Sequence, residues 1–192
     1  MNDQMEKPKR KAVFLDRDGT VVKHKDYIVS PKQIELEQNA VEGIKLLNQN
    51  SYLTILVTNQ PQVAMNLCTM EQIKEINDRM QSLLIEQGTK VDDIFFCPHH
   101  PDKGGCECRK PKTGLLLQAA AKHHIDLSQS WMVGDASRDV LAGKNAGTHT
   151  ICVDTGLGGR DEKYKAKPDF QCADLLEAAR RILEQSGEAD HA

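Results

Sequence analysis

The feature that most constrains the fold is a regular alternation of short apolar runs with segments of helical periodicity. The five apolar runs favour β-strands and span residues 12–15, 52–57, 93–96, 131–133 and 150–153. The five helical segments span residues 40–48, 71–86, 113–124, 137–145 and 175–185. Strands that alternate with helices predict an α/β fold, in which a parallel sheet carries crossover helices on its faces.

The segment 71–86 carries the clearest helical signal. Thr69 and Gln72 match a capping box at its beginning. Apolar residues then recur at helical spacing: Ile73, Ile76, Met80, Leu83 and Leu84. We therefore expect an amphipathic helix that covers one face of the sheet.

Length and composition predict one cytoplasmic domain. The 192 residues suit a single domain, which we place at 11–185 between flexible tails 1–10 and 186–192. A net charge of −3 argues against general nucleic-acid binding, and no apolar run has the length of a membrane span. The polar beginning of the chain and the six cysteines suggest a reducing compartment. We expect a monomer.

Polar segments follow three of the predicted strands. Asp16 comes after the first, Thr58 after the second, and Gly134-Asp135 after the fourth. Ligands of parallel α/β sheets bind at the carboxyl ends of the strands. The sequence therefore predicts that these three segments meet at one edge of the sheet.

The segment Asp16-Arg-Asp-Gly-Thr20 fits phosphoryl transfer. Two nearby carboxylates repel each other unless a cation lies between them or one of them is protonated, and Mg²⁺ prefers oxygen ligands. A carboxylate beside Mg²⁺ can attack a phosphoryl group, and Asp18 can protonate the leaving oxygen and later activate water. The alternative is a solvated Asp-Gly turn, because short motifs produce false matches.

Three further segments supply groups for the same chemistry. Thr58 and Asn59 can donate hydrogen bonds to phosphate oxygens, although such residues also form ordinary turns. Lys110 can neutralise a phosphate and the attacking carboxylate, and Arg109 can hold another oxyanion, unless the two cations only solvate a loop. Asp135 is a candidate metal ligand opposite Asp16, with an ordinary acidic helix N-terminus as the alternative. Asp139, one turn into the helix, can hold Asp135 or Lys110 in place.

A loop at 97–108 carries soft metal ligands at Cys97, His99, Cys106 and Cys108. Three thiolates and one imidazole suit a closed, structural, tetrahedral Zn²⁺ site. His100 is a rival for His99, and a metal-free loop or a redox pair of Cys106 with Cys108 is the alternative. Because the loop leads directly into Arg109 and Lys110, zinc would fix the backbone that aims these cations.

The order of these motifs resembles the haloacid dehalogenase superfamily of phosphatases. The resemblance rests on Asp16-x-Asp18-Gly-Thr, Thr58-Asn, Lys110 and Gly134-Asp135, and it covers roughly residues 11–153. It implies a Rossmann-like fold with Asp16 as nucleophile and Asp18 as acid and base. Mg²⁺ would be held by Asp16, by the backbone carbonyl of Asp18 and by Asp135. Thr58 and Lys110 would steady the transferring phosphoryl group.

The Cys-Pro-His-His-Pro and Cys-x-Cys-Arg-Lys-Pro segments narrow the resemblance to a zinc-loop branch without a large cap domain. That branch contains phosphatases of heptose 1,7-bisphosphate and of histidinol phosphate. It implies a small phosphorylated metabolite as substrate, a heptose 1,7-bisphosphate first and histidinol phosphate second. The residues expected to contact the substrate are Arg17, His24, Lys25, Asp26, Tyr27, Asn59, Gln60 and Arg109.

The chain departs from the branch at several positions. Pro61-Gln62 stands where the branch has Ser-Gly, Ala64-Met65-Asn66 replaces Ala-Arg-Gly, and Ala136 replaces the lysine of the heptose enzymes. The catalytic and metal-ligating residues are intact, so the departures bear on the substrate. The other functions considered are a polynucleotide 3′-phosphatase and a non-catalytic zinc-loop interaction module.

Overall fold

A computed structural model describes residues 8–103, 105–161 and 163–187. Its strands are β1 (Ala12–Leu15), β2 (Leu53–Asn59), β3 (Asp93–Cys97), β4 (Trp131–Gly134), β5 (His149–Val153) and β6 (Phe170–Cys172). Its α-helices are α1 (Ala40–Gln49), α2 (Met70–Glu86), α3 (Gly114–His123), α4 (Ser137–Ala146) and α5 (Leu175–Ser186). The expected tails lie partly outside the described residues, at 1–7 and 188–192.

The six strands form one parallel sheet in the order β3-β2-β1-β4-β5-β6. The predicted α/β architecture is confirmed. β1 pairs with β2 on one side and with β4 on the other, so the first and fourth strands are neighbours although more than a hundred residues separate them. Their carboxyl ends therefore bring Asp16 and Asp135 to the same edge.

Alternation along the central strand divides the core into two layers. Val13 and Leu15 of β1 pack in a cluster with α1, α2 and α5, whereas Ala12 and Phe14 pack in a second cluster with α3. Successive side chains of a strand point to opposite faces, which accounts for the division. Helices thus cover both faces of the sheet and leave its carboxyl edge to the loops.

The capping box predicted for α2 is present. The Thr69 hydroxyl accepts a hydrogen bond from the Gln72 amide, and the Gln72 side chain accepts one from the Thr69 amide. No helix of the described residues combines the length and apolar character that a bilayer crossing needs. The short edge strand β6 was not predicted, because three residues are too few to show a period.

Candidate active site

Asp16 lies directly after β1, and its carboxylate is buried among positively charged groups. Oδ1 lies 3.0 Å from Lys110 Nζ and accepts a hydrogen bond of 2.7 Å from the Arg17 amide. Oδ2 lies 3.6 Å from Arg138 Nη2. Burial raises the pKa of Asp16, but the charges of Lys110 and Arg138 outweigh burial and hold the pKa below its ordinary value. The carboxylate is therefore ionised, as a nucleophile must be.

Lys110 is almost fully buried, and its ammonium contacts residues that follow or belong to three different strands or helices. Its ammonium lies 3.0 Å from Asp16 Oδ1 and 2.7 Å from Asp139 Oδ1, and it donates to the Val57 carbonyl at 2.7 Å. Of the two partners predicted for Asp139, Asp135 or Lys110, the structure shows an ion pair with Lys110. Asn59 exchanges two hydrogen bonds of 3.0 Å with the Lys110 backbone. Its amide therefore positions Lys110, which argues against the substrate contact predicted for Asn59.

Asp135 is fully buried at the end of β4. Its Oδ2 accepts the Leu157 amide at 2.7 Å, whereas its Oδ1 has no hydrogen-bond partner among the described residues. Burial and the charges of Asp16 and Asp139 raise the pKa of Asp135 to about 8. A buried carboxylate oxygen without a partner is costly, so this atom is suited to a cation.

Two glycines allow the chain to close around Asp135. A Cβ atom at Gly19 or at Gly156 would overlap the Asp135 carboxylate. Gly19 also has φ +87°, a conformation that other residues rarely adopt. The glycine of the first motif is thus required by the close approach of this turn to Asp135.

The three carboxylates of Asp16, Asp135 and Asp139 form a cluster that can hold a metal ion, since each offers an oxygen within 4.8 Å of the others. The sequence placed Asp16, Asp18 and Asp135 in this set. The structure adds Asp139 to the cluster, while the Asp18 carboxylate accepts hydrogen bonds from Arg17. The unpartnered Asp135 Oδ1 shows that the residues present fit a hard divalent cation.

Asp18 is held by a buried polar network. Its carboxylate accepts two hydrogen bonds from Arg17, at 2.9 and 3.0 Å, and one from the Gln60 amide at 2.9 Å. The Gln60 amide also donates to Thr58 Oγ1 at 2.7 Å, so Thr58 lies beside the same network. Arg17 and Gln60 are both fully buried. Their positions argue against the predicted substrate contacts, and they support Asp18 from within the protein instead.

The segment expected to contact the substrate divides in two. His24 reaches the edge, with its Nδ1 4.0 Å from Asp135 Oδ2. Lys25 turns away, since its ammonium lies 2.7 Å from Glu35 Oε1 and donates to the Gln33 carbonyl at 2.7 Å. Asp26 and Tyr27 are exposed.

The predicted zinc ligands converge. His99 Nδ1 lies 3.4 Å from the Cys97 sulfur and 3.3 Å from the Cys108 sulfur. The Cys97 sulfur lies 3.7 Å from that of Cys106 and 3.1 Å from that of Cys108. A tetrahedral Zn²⁺ site places its sulfurs about 3.8 Å apart and its nitrogen about 3.6 Å from each sulfur. The Cys97–Cys106 distance and both nitrogen–sulfur distances approach these values, whereas the Cys97–Cys108 distance is shorter. The four residues form a cluster that can hold a metal ion.

The remaining loop contacts decide between the two histidines. His100 Nδ1 accepts a hydrogen bond from the Asp102 amide at 3.2 Å, and the four-residue ligand cluster includes His99. Arg109 Nη1 donates to the His99 carbonyl at 3.0 Å. Arg109 also lines a cavity of about 380 Å³ together with Lys110 and Tyr164. The loop thus positions Arg109 at a cavity that Lys110 also lines.

The departures from the branch take defined places. Gln62 is buried and donates to Gln60 Oε1 at 2.5 Å and to the Ile28 carbonyl at 3.2 Å, so it extends the network behind Asp18. Asn66 adopts φ +58°, a left-handed conformation that Asn tolerates better than most residues. Ala136 is fully buried, and its amide donates to Asp139 Oδ2 at 3.1 Å.

Sequence reasoning missed Arg138. Burial lowers the pKa of this guanidinium, but the charges of Asp139 and Asp16 outweigh burial and raise the pKa. The only available signal was its position in the first helical turn between Asp135 and Asp139. That signal does not distinguish a side chain that faces the nucleophile from one that faces solvent.

Comparison with known proteins agrees with this geometry. The profile of the family described as HAD-hydrolase-like matches residues 107–178. The D-glycero-beta-D-manno-heptose-1,7-bisphosphate 7-phosphatase of Pasteurella multocida is 39% identical over 77% of this chain and 83% of the relative. The enzyme of the same name from Bordetella bronchiseptica is 34% identical over 92% of this chain and 99% of the relative.

A solved structure extends the similarity to three dimensions. The crystal structure of D,D-heptose 1,7-bisphosphate phosphatase from B. bronchiseptica, complexed with magnesium and phosphate, matches with a TM-score of 0.84 at 34% identity. The match covers 91% of this chain and 99% of that structure. The chain therefore belongs to the haloacid dehalogenase-like phosphatases, in the group of the heptose 1,7-bisphosphate phosphatases.

Proposed function

We propose that the protein hydrolyses the 7-phosphate of D-glycero-D-manno-heptose 1,7-bisphosphate, with Mg²⁺ at the sheet edge and an aspartyl-phosphate intermediate. The observation that carries this proposal is the pairing of ionised Asp16 with buried Lys110 beside the unpartnered oxygen of Asp135. The names of the relatives supply the substrate. The bound magnesium and phosphate of the related crystal structure support the metal.

Mg²⁺ would be held by Asp16 and Asp135, with the backbone carbonyl of Asp18 as the third protein ligand. When bound there, the ion neutralises charge on the phosphate and on the nucleophile. Asp139 approaches the same cluster but is engaged by Lys110 at 2.7 Å, so we assign it the role of holding Lys110.

The reaction would proceed in two displacements. Asp16 attacks the phosphorus, the bond to the sugar oxygen breaks, and Asp18 gives that oxygen its proton. Water then attacks the phosphorus of the aspartyl phosphate, Asp18 takes a proton from the water, and inorganic phosphate leaves. Arg17 and Gln60 would hold the Asp18 carboxylate in place for both proton transfers. Lys110 and Thr58 would steady the phosphoryl oxygens.

Cys97, His99, Cys106 and Cys108 would hold a structural Zn²⁺ ion. The ion would fix the loop that carries Arg109. Arg109 would contact the phosphate group that stays on the sugar. The hydrogen bond from Arg109 to the His99 carbonyl supports this coupling, because it joins the cation directly to a ligand residue. His24, next to Asp135, would approach the substrate from the opposite segment.

A substrate panel tests the proposal. Phosphate release with Mg²⁺ is measured on both anomers of the heptose 1,7-bisphosphate, on histidinol phosphate, on fructose 1,6-bisphosphate and on a 3′-phosphorylated oligonucleotide. We expect one heptose anomer to be preferred strongly, and Asp16→Asn to remove the activity. Preference for another compound would overturn the substrate assignment, and equal activity of Asp16→Asn would overturn the mechanism.

A further inference from the structure

Arg138 is a cation that neither the predicted motif roles nor the proposed mechanism uses. It lies in the first turn of α4, with Nη2 3.6 Å from Asp16 Oδ2. Its side chain is 27% exposed, and no hydrogen bond to another of the described residues engages its guanidinium. An arginine carries five N–H donors in a planar fork. A largely buried guanidinium beside the nucleophile therefore has donors available to a ligand.

The two cations at Asp16 lie on its different oxygens. Lys110 contacts Oδ1 and also lies close to Asp139 and to the Val57 carbonyl. Arg138 approaches Oδ2 at a distance too long for a hydrogen bond. The lysine thus shares its charge among three protein groups, whereas the arginine can exchange its one long contact for a better acceptor.

We propose that Arg138 contacts the phosphoryl group during its transfer and holds it against Asp16. This inference rests on the proposed phosphatase function and adds a contact that the family motifs do not contain. The acceptors would be non-bridging phosphate oxygens, which match the guanidinium fork in geometry and charge.

The distance to the nucleophile favours this role over contact with a remote anionic group. In a productive complex the attacking oxygen lies about 3–3.5 Å from the phosphorus. A guanidinium 3.6 Å from the same carboxylate is therefore within reach of the oxygens on that phosphorus. Arg109, which lines the neighbouring cavity, is the better candidate for a second anionic group.

The sum of charges at the site also supports contact between Arg138 and the phosphoryl group. Asp16, Asp135 and Asp139 carry three negative charges when ionised, against one on Lys110 and one on Arg138. With a divalent cation bound, the site carries one net positive charge, which attracts a phosphate dianion. Without Arg138 these groups would sum to zero and would attract the anion less strongly.

The test compares Arg138→Gln and Arg138→Lys with wild type, and uses Lys144→Gln as the matched control. Lys144 lies on the same helix but pairs with Asp169 at the surface. The substrates are the heptose 1,7-bisphosphate and the heptose 7-phosphate, which lacks the second phosphate. Binding of inorganic phosphate and of Mg²⁺ is measured by calorimetry on the same proteins.

We expect Arg138→Gln to lower kcat/KM about ten- to 100-fold on both substrates and to weaken phosphate binding by a similar factor. Arg138→Lys should recover part of the loss, and Lys144→Gln should behave as wild type. Mg²⁺ binding should be unchanged or tighter in Arg138→Gln, because a positive charge beside the metal site is removed. A structural role for Arg138 would instead weaken Mg²⁺ binding.

Three results would overturn the inference: kcat/KM and phosphate binding within threefold of wild type, a loss confined to the bisphosphate, or weaker Mg²⁺ binding. The second result would assign Arg138 to the second phosphate. If wild type does not hydrolyse the heptose esters, the proposed substrate fails. Arg138 is then judged by phosphate binding and by hydrolysis of p-nitrophenyl phosphate, with the same criteria.

Discussion

Substitution of Lys110 by methionine should measure how much the buried carboxylates of the active site destabilise the folded protein when their shared cation is removed. Lys110 is 1% exposed, and its ammonium lies 3.0 Å from Asp16 and 2.7 Å from Asp139. Methionine keeps most of the side-chain volume but leaves two buried carboxylates without their shared cation. Removal of one partner of a buried ion pair costs about 3–5 kcal/mol. Because a domain of this kind is stable by about 5–15 kcal/mol, the loss should be large.

Urea unfolding at several pH values, with and without Mg²⁺, measures this cost. Loss of Lys110 raises the folded-state pKa of both acids above their unfolded values, so the destabilisation grows as the pH rises. We therefore expect a larger difference from wild type at pH 8 than at pH 5. Mg²⁺ should restore part of the stability at pH 8, because it binds the folded state and supplies positive charge.

The matched control is Lys122→Met, which removes a lysine that pairs with Asp93 at the surface. An exposed pair of this kind contributes about 0–1 kcal/mol, so the control should stay near wild type. The reasoning would be refuted if Lys110→Met unfolded at the same urea concentration as wild type at pH 8 without Mg²⁺. A deficit that did not change with pH would also refute it, since the carboxylates would then not be its source.

Three further predictions concern the nucleophile, the metal and the loop. Asp16→Asn should keep its fold but lack the covalent phosphoryl adduct, which adds about 80 Da in mass spectrometry of rapidly quenched wild type. An adduct in the variant would point to another nucleophile. The pKa of Asp135 is raised to about 8, so metal-free wild type should lose stability relative to Asp135→Asn as the pH rises from about 4 to 8. Mg²⁺ should bind wild type more tightly over the same pH range. Parallel curves of stability against pH for the two proteins would contradict this. Cys97→Ala should lower the zinc content and the melting temperature. It should also lower the affinity for substrate, because Arg109 is hydrogen-bonded to His99 of the same loop. An unchanged KM in the absence of zinc would show that the loop does not contribute to substrate recognition.

The chemistry-bearing residues could be predicted from sequence because they follow strands. Asp16 and Asp135 come directly after apolar runs, and parallel topology then places them at one edge. Lys110 does not follow a strand directly, and it was predicted instead from the adjacent cations Arg109-Lys110 and from the order of the family motifs. These signals depend on type and spacing along the chain, which sequence displays directly.

The direction of individual side chains could not be predicted. Arg17 and Gln60 belong to recognisable motifs, yet both are fully buried and support Asp18. Lys25 follows the first motif but pairs with Glu35. In each case the outcome depends on long-range partners, and the sequence of a loop does not specify which partner a long polar side chain will meet.

Because β1 and β4 are neighbours at the centre of the sheet, the groups for reaction and the groups for substrate recognition meet at one edge but lie on different parts of the chain. Asp16 and Asp135 directly follow strands of the packed sheet, whereas His24 and Arg109 lie on loops between the elements of the sheet. Exchange of the loop that carries His24 would leave Lys110 in place, whereas exchange of the loop that carries Arg109 must keep a lysine at position 110 to preserve the contact with Asp16. New specificities can therefore arise by transplanting whole loops, and chimaeras joined at the ends of β1 and β3 are the natural units for such engineering.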